Sequence, residues 1–320
     1  MALEMRLVKV KRNKPECSFQ KFEKIKNKIL ILRDCGGYGD ILNMRMIFQD
    51  LKEQFPDFEF DWAIPHGYFH VAENHPYVSE LIPANQVDYN NYLQIFNLSY
   101  SCTKYEWKHK KETDKNRADI WANYMGLELS KHNMFLPDRS ELFPKFKNLL
   151  QKKGWDGSKK IIIFTPYSAL PEKNFTKNQI EIIKEITKDY FLIGLHNAPM
   201  LELNLQNIPT IMSTSFKDSM TFIQLSDLVI TTDTGHLHCA GGYNKPTLSL
   251  FCYTSGNNIC KYFEKNVVVQ IFDYDNEYDC GPCYTYTQCK KTKEPEKPCR
   301  TNISKEMIIS GWEKLLNLYI

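Results

Sequence analysis

No stretch of the 320 residues approaches the ~18 consecutive apolar residues that a membrane-spanning helix needs. The opening MALEMRLVKVKRNK lacks the apolar run and small-residue cleavage site of a secretory signal, so a cytoplasmic chain is expected. Glycine and proline are modest, at 14 and 15, and there is no internal repeat or low-complexity tract, which excludes collagen-like and disordered classes. Net charge is only +3, too little to name a partner. With 42 % apolar and 25 % charged residues, this length suits two ordinary globular domains that need no disulfide staples.

The charge is unevenly spread. Residues 1–28 hold nine Lys or Arg against three Glu, and a second basic run, Lys108-His109-Lys110-Lys111, lies mid-chain. Such runs can contact anionic surfaces, phosphate or nucleic acid, or can be plain solvated surface.

Short apolar runs alternate with helical patterns throughout. A strand is expected over 29–33, then a glycine loop, then a helix with Ile41, Leu42, Met44, Ile47, Phe48 and Leu51 on one side. Phe58, Phe60, Trp62 and Ile64 alternate as a strand does, which completes a βαβ unit. Further strands are expected at 79–82 and 93–98, and a helix at 114–126. The second half repeats the alternation with strands at 160–165, 190–195, 209–212, 227–232 and 246–252. Helices are expected at 177–188 (capped by Thr176 and Gln179), 217–225, from 235, and 304–318. The pattern implies an α/β chain with two doubly wound parallel sheets. Pro137–Ser158 is the least element-like stretch, and the domains are placed at 1–145 and 146–320. Ligands of such folds bind beyond the carboxyl ends of the strands.

Gly36-Gly37-Tyr38-Gly39-Asp40 sits between a strand and a helix, where glycines let backbone approach a ligand. It is neither a dinucleotide fingerprint, since Leu42 stands at the third glycine position, nor a Walker loop. Asp40 would repel a phosphate there, so it suits a general base for an acceptor hydroxyl, or a helix cap. Asp233-Thr234-Gly235-His236-Leu237-His238 follows the apolar strand at 228–230 and opens a helix of small residues, a possible diphosphate site with Asp233 as cap or sugar ligand. His236 reads as structural. Lys173, in the loop after the strand at 160–165, can neutralise a leaving diphosphate. Four of the ten cysteines, Cys280, Cys283, Cys289 and Cys299, fall within twenty residues, and the first pair has the spacing of a tetrahedral zinc or iron site.

The run Ile29–Arg33 with Gly37-Tyr38-Gly39-Asp40, and the later Asp227–Gly235 with His238, Ala240, Lys245-Pro246 and Leu250-Phe251, resemble the bacterial heptosyltransferases of glycosyltransferase family 9. That resemblance implies a GT-B fold of two Rossmann-like domains and inverting transfer from a nucleotide-diphosphate sugar without a catalytic metal. It assigns the base to Asp40 and the acceptor-side loop to Gly36, Gly37, Tyr38 and Gly39. Donor contacts fall on Lys173, Asp233, Thr234, Gly235 and His238. The expected acceptor is a bacterial surface glycan. Residues 44–48 and 97–107 also resemble phage-encoded members, for which the acceptor would be a hydroxylated base in duplex DNA and the setting a host cytoplasm.

Overall fold

The computed structural model describes residues 27–109, 113–196, 205, 207–213, 215–252, 254–273, 281–283, 289, 292 and 297–320. The basic segment 1–26, Lys110, Lys111 and Cys280 lie outside the described residues.

The first half is built from β1 (Lys28–Leu32), α1 (Tyr38–Met44), α2 (Ile47–Gln54), β2 (Glu59–Ile64), α3 (Phe69–Ala72), β3 (Glu80–Pro83), β4 (Gln94–Asn97), α4 (Ser101–His109) and α5 (Arg117–Tyr124). Helix α6 (Phe143–Lys152) leads into the second half: β5 (Ile161–Thr165), α7 (Lys177–Ile186), β6 (Phe191–His196), β7 (Thr210–Met212), α8 (Phe216–Leu225) and β8 (Leu228–Thr232). It ends with α9 (Gly235–Gly242), β9 (Thr247–Phe251), α10 (Gly256–Ile259), β10 (Asn266–Gln270), α11 (Pro298–Thr301) and α12 (Lys305–Tyr319).

Every described strand pair is parallel. The first sheet runs β3-β2-β1-β4 and the second β10-β9-β8-β5-β6-β7. Counted within its own sheet, the second has the common dinucleotide-fold order 3-2-1-4-5-6. Each sheet reverses direction beside its first strand: between β1 and β4, and between β5 and β8. The chain parts there, and the loops leaving those strands border a crevice. Those loops carry the residues singled out from the sequence.

Strands β5, β8 and β9 are buried along their whole length, as strands covered on both faces must be. One apolar cluster joins the halves: Ile41 and Leu42 of α1 belong with Leu237 and Ala240 of α9, and with Phe263. A second cluster fills the far face of the larger sheet under α7 and α12, around Phe164, Ile183, Leu248 and Trp312.

Two expectations need correction. The single helix after the glycine loop is broken, with α1 ending at Met44 and α2 starting at Ile47. Arg45 turns inward at that break and is fully buried. The stretch Pro137–Ser158 is not element-poor. It holds α6, whose Phe146 and Leu150 are buried while Lys145, Lys147 and Lys152 stand among its ten residues. Amphipathic burial overrode composition there. No helix among the described residues is long and apolar enough to cross a membrane.

Candidate active site

Helices α1 and α9, one from each half, cross closely because two glycines allow it. A Cβ on Gly39 would fall 2.5 Å from the ring of His238, and one on Gly235 would fall 2.7 Å from Tyr38 Cβ. Tyr38 then stacks on Phe216 at 4.2 Å, and Phe216 on His236 at 5.2 Å, so an aromatic layer seals this crossing. Gly36 has φ +106°, a conformation costly for other residues, and a Cβ there would also strike the Asp40 carboxylate. Gly37 meets nothing within 4 Å. The glycine loop thus turns the chain beneath Asp40 and lets the halves meet.

Asp40 is the third residue of α1; Gly37 is the N-cap, and its N–H donates to Asp40 Oδ2 at 3.4 Å. Its Oδ2 accepts from Arg33 Nη2 at 2.9 Å and its Oδ1 from Arg117 Nη1 at 2.6 Å. Burial would push its pKa up, but Arg117 and Arg33 outweigh that and hold it well below the usual carboxylate range. Arg117 also makes a two-pronged pair with Glu106, Nε to Oε1 at 2.7 Å and Nη2 to Oε2 at 2.8 Å. Arg33 is held by the carbonyls of Leu98 and Ser99 and lies over the Trp121 ring.

Across the crevice, Lys173 Nζ donates to Asp233 Oδ2 at 2.6 Å, and Thr254 Oγ1 donates to the same oxygen at 3.2 Å. Burial opposes ionisation of Asp233, but Lys173 overcomes it and keeps the pKa low. Lys173 follows β5 and Asp233 follows β8, so the pair stands at the reversal point of the larger sheet. Thr234, not Asp233, caps α9, accepting from the His236 N–H at 3.2 Å. This leaves the Asp233 carboxylate for Lys173.

Between these two ion pairs lies a pocket, open to solvent, walled by Glu106, Lys115, Arg117, Lys173, Asp233 and His238 among others. An amide relay closes its floor. His238 Nδ1 meets Asn43 Oδ1 at 3.2 Å, Asn43 donates to Asn116 Oδ1, and Asn116 donates to the carbonyls of Asn258 and Ile259, both at 2.9 Å. Asn258 in turn donates to the Thr113 carbonyl. The arrangement offers cations for an anionic ligand and carboxylates for hydroxyls.

Lys173, Asp233 and His238 line this pocket and Asp40 reaches it through Arg117, while Thr234 and Gly235 serve as cap and packing. Arg33, Arg117, Glu106 and the asparagine relay were not foreseen. No motif marks them, because their partners lie between 7 and 195 positions away.

The expected four-cysteine metal site does not assemble among the described residues, where no group of three or more His, Cys, Asp or Glu side chains could hold a metal ion. Cys299 is buried in the apolar cluster beside Cys252, whose thiol is pushed up by that neighbour and by burial. A metal would need this thiol as a thiolate in water-poor apolar packing, which the site disfavours. Cys280 lies outside the described residues.

Burial keeps His75, His236 and His238 neutral, with pKa values near about 3, 4 and 4 against an ordinary 6.5. Below pH 6.5 the unfolded chain binds protons that the folded chain refuses. The stability these groups provide is therefore full above that pH and is lost as pH falls toward the folded values. The urea midpoint should drop between about pH 7.5 and 5, by the equivalent of roughly 1–2 kcal/mol for each histidine. A midpoint that stays constant over that range would show that these rings take up protons as readily in the fold as in the unfolded chain.

Two parallel Rossmann-like sheets facing across a crevice define a GT-B fold, and the comparisons agree. The family model for glycosyltransferase family 9 (heptosyltransferase) matches residues 99–293, and the chain belongs to that family and is a glycosyltransferase. It is 21 % identical over 286 residues to lipopolysaccharide heptosyltransferase 1 of Campylobacter coli, an alignment covering 70 % of this chain and 83 % of that one. The glycosyl transferase family 9 structure from Veillonella parvula superposes with TM-score 0.68 at 16 % identity, over 91 % of this chain and 97 % of that one. The dodecameric iron-containing heptosyltransferase TibC of enterotoxigenic Escherichia coli, solved with ADP-D-beta-D-heptose, gives 0.64 at 9 % identity, over 91 % and 77 %.

Proposed function

We propose that this protein transfers a heptose-like sugar, with inversion and without a catalytic metal, from a nucleotide-diphosphate donor to a hydroxyl of a bacterial surface glycan. The observation that carries the reading is the pocket itself, where an ion pair from each half meets at the reversal points of the two sheets. TibC, which shares this fold, was solved with a nucleotide-diphosphate heptose. In this reading residues 1–145 form the acceptor side and 146–320 hold the donor. Lys173 leaves Asp233 for the diphosphate and offsets the charge that develops as the sugar departs. Asp233, with Thr254 beside it, is then free to accept from sugar hydroxyls. Asp40 takes the proton of the acceptor hydroxyl as its oxygen bonds to the anomeric carbon from the face opposite the bond that breaks to the departing diphosphate, which gives inversion.

Lys173→Ala should lower kcat with the nucleotide sugar by about 10²-fold or more, because a preorganised cation at the leaving group is lost. Asp233→Ala should raise donor KM. Chelators should leave wild-type turnover intact, and a strict requirement for magnesium or manganese would overturn the assignment of Lys173. Labelled sugar should enter glycan. Label entering duplex DNA instead, with binding that weakens steeply as salt rises, would move the acceptor to nucleic acid.

A further inference from the structure

The two arginines on Asp40 are not equivalent. Arg33 is 5 % exposed, hydrogen-bonded to the backbone at Leu98 and Ser99, and packed over Trp121. It cannot leave without opening the core. Arg117 is 27 % exposed, lines the pocket beside Lys115 and Lys173, and is held only by carboxylates. Glu106, on the buried face of α4, grips its Nε and Nη2, which leaves Nη1 as the single arm on Asp40. In this state both oxygens of Asp40 are engaged and neither can accept a proton readily.

We propose that Arg117 is a positioning residue that holds Asp40 in the donor-free protein and releases it to a diphosphate entering the pocket, with Glu106 keeping the guanidinium within reach of both. The inference rests on the transfer reading above and deepens it. Only one 2.6 Å contact has to break, and a guanidinium suits phosphate oxygens as well as it suits a carboxylate. Release leaves Asp40 with Arg33 and the Gly37 N–H, oriented but more basic. The other titratable groups facing Asp40 do not change that charge balance. Burial keeps the thiols of Cys35 and Cys102 and the ring of His238 neutral. The balance is therefore set by Arg33, Arg117 and, behind Arg117, Glu106. The arrangement couples base strength to donor occupancy, so the base stays weak while no leaving group is in place.

The test is a carbon-13 NMR titration of aspartate carboxyls in the full-length protein, with inorganic pyrophosphate as the probe. Without it, Asp40 should keep the signal of an ionised carboxylate through the range in which the exposed aspartates titrate. With it, the Asp40 titration should move upward, toward that ordinary range, by at least about one unit for loss of one adjacent cation. In Arg117→Gln the signal should sit at the higher value with or without pyrophosphate, and Arg117→Lys should fall between. The wild-type comparison needs no variant to fold. Pyrophosphate that fails to bind, or binds and leaves the Asp40 titration unmoved, overturns the proposal even if sugar transfer is found. A titration that moves as expected in a protein that transfers no sugar supports the release of Asp40 and overturns the transfer reading instead.

Discussion

Asp40→Asn is expected to lower kcat by about 10²–10⁴-fold, the usual cost of losing one proton-transfer group; donor binding should not weaken, because Arg117 no longer has to leave a carboxylate for the diphosphate. The same substitution removes the shared partner of Arg33 and Arg117, and a buried cation left without its carboxylate costs about 3–5 kcal/mol. Activity and melting temperature must therefore be read together, with donor binding followed by calorimetry on the fraction that stays folded. A folded variant that keeps activity within about tenfold of wild type would return Asp40 to a purely structural clamp.

Arg45→Met should be the most damaging substitution for stability. The Arg45 side chain donates to the carbonyls of Met134, Val71, Glu73 and Phe135, tying the α1–α2 break to two distant segments. Desolvation lowers its pKa, but only to about 10, so it remains charged in the fold. Methionine fills much of the same space and leaves four carbonyls without these donors, at about 1–3 kcal/mol for each that water cannot reach. The sum approaches the whole stability of an ordinary domain, about 5–15 kcal/mol. Expression without a cooperative unfolding transition is the expected result. Arg45→Lys should recover only part of the loss, since three donors on one nitrogen cannot span both segments. A melting temperature for Arg45→Met within about 4 °C of wild type would mean that these carbonyls find other partners.

The alternation of buried strands and amphipathic helices was legible because its signals are local. The Thr176–Gln179 capping box, the apolar runs of β5, β8 and β9, and the face of α12 each appear within a short window. Helix α6 and the α1–α2 break were missed for the opposite reason. In α6 two buried apolar residues outweigh a lysine-rich sequence, and at the break a charged residue is buried by carbonyls that lie far along the chain.

The sequence alone determined the α/β class and most of the strand–helix alternation, though not α4, α6 or β10, and it placed the candidate residues in loops that follow strands. Asp40, Lys173 and Asp233 were visible because strand ends and glycine turns leave marks in neighbouring residues. Their state was not. That Asp40 lies between Arg33 and Arg117, that Lys173 is paired with Asp233, and that Gly39 and Gly235 serve the crossing of two helices depend on contacts between residues far apart in the chain. Charge pairing falls off with distance in space and takes no account of separation in sequence. Only the folded chain, with α1 laid against both α9 and α5, decides which charges meet.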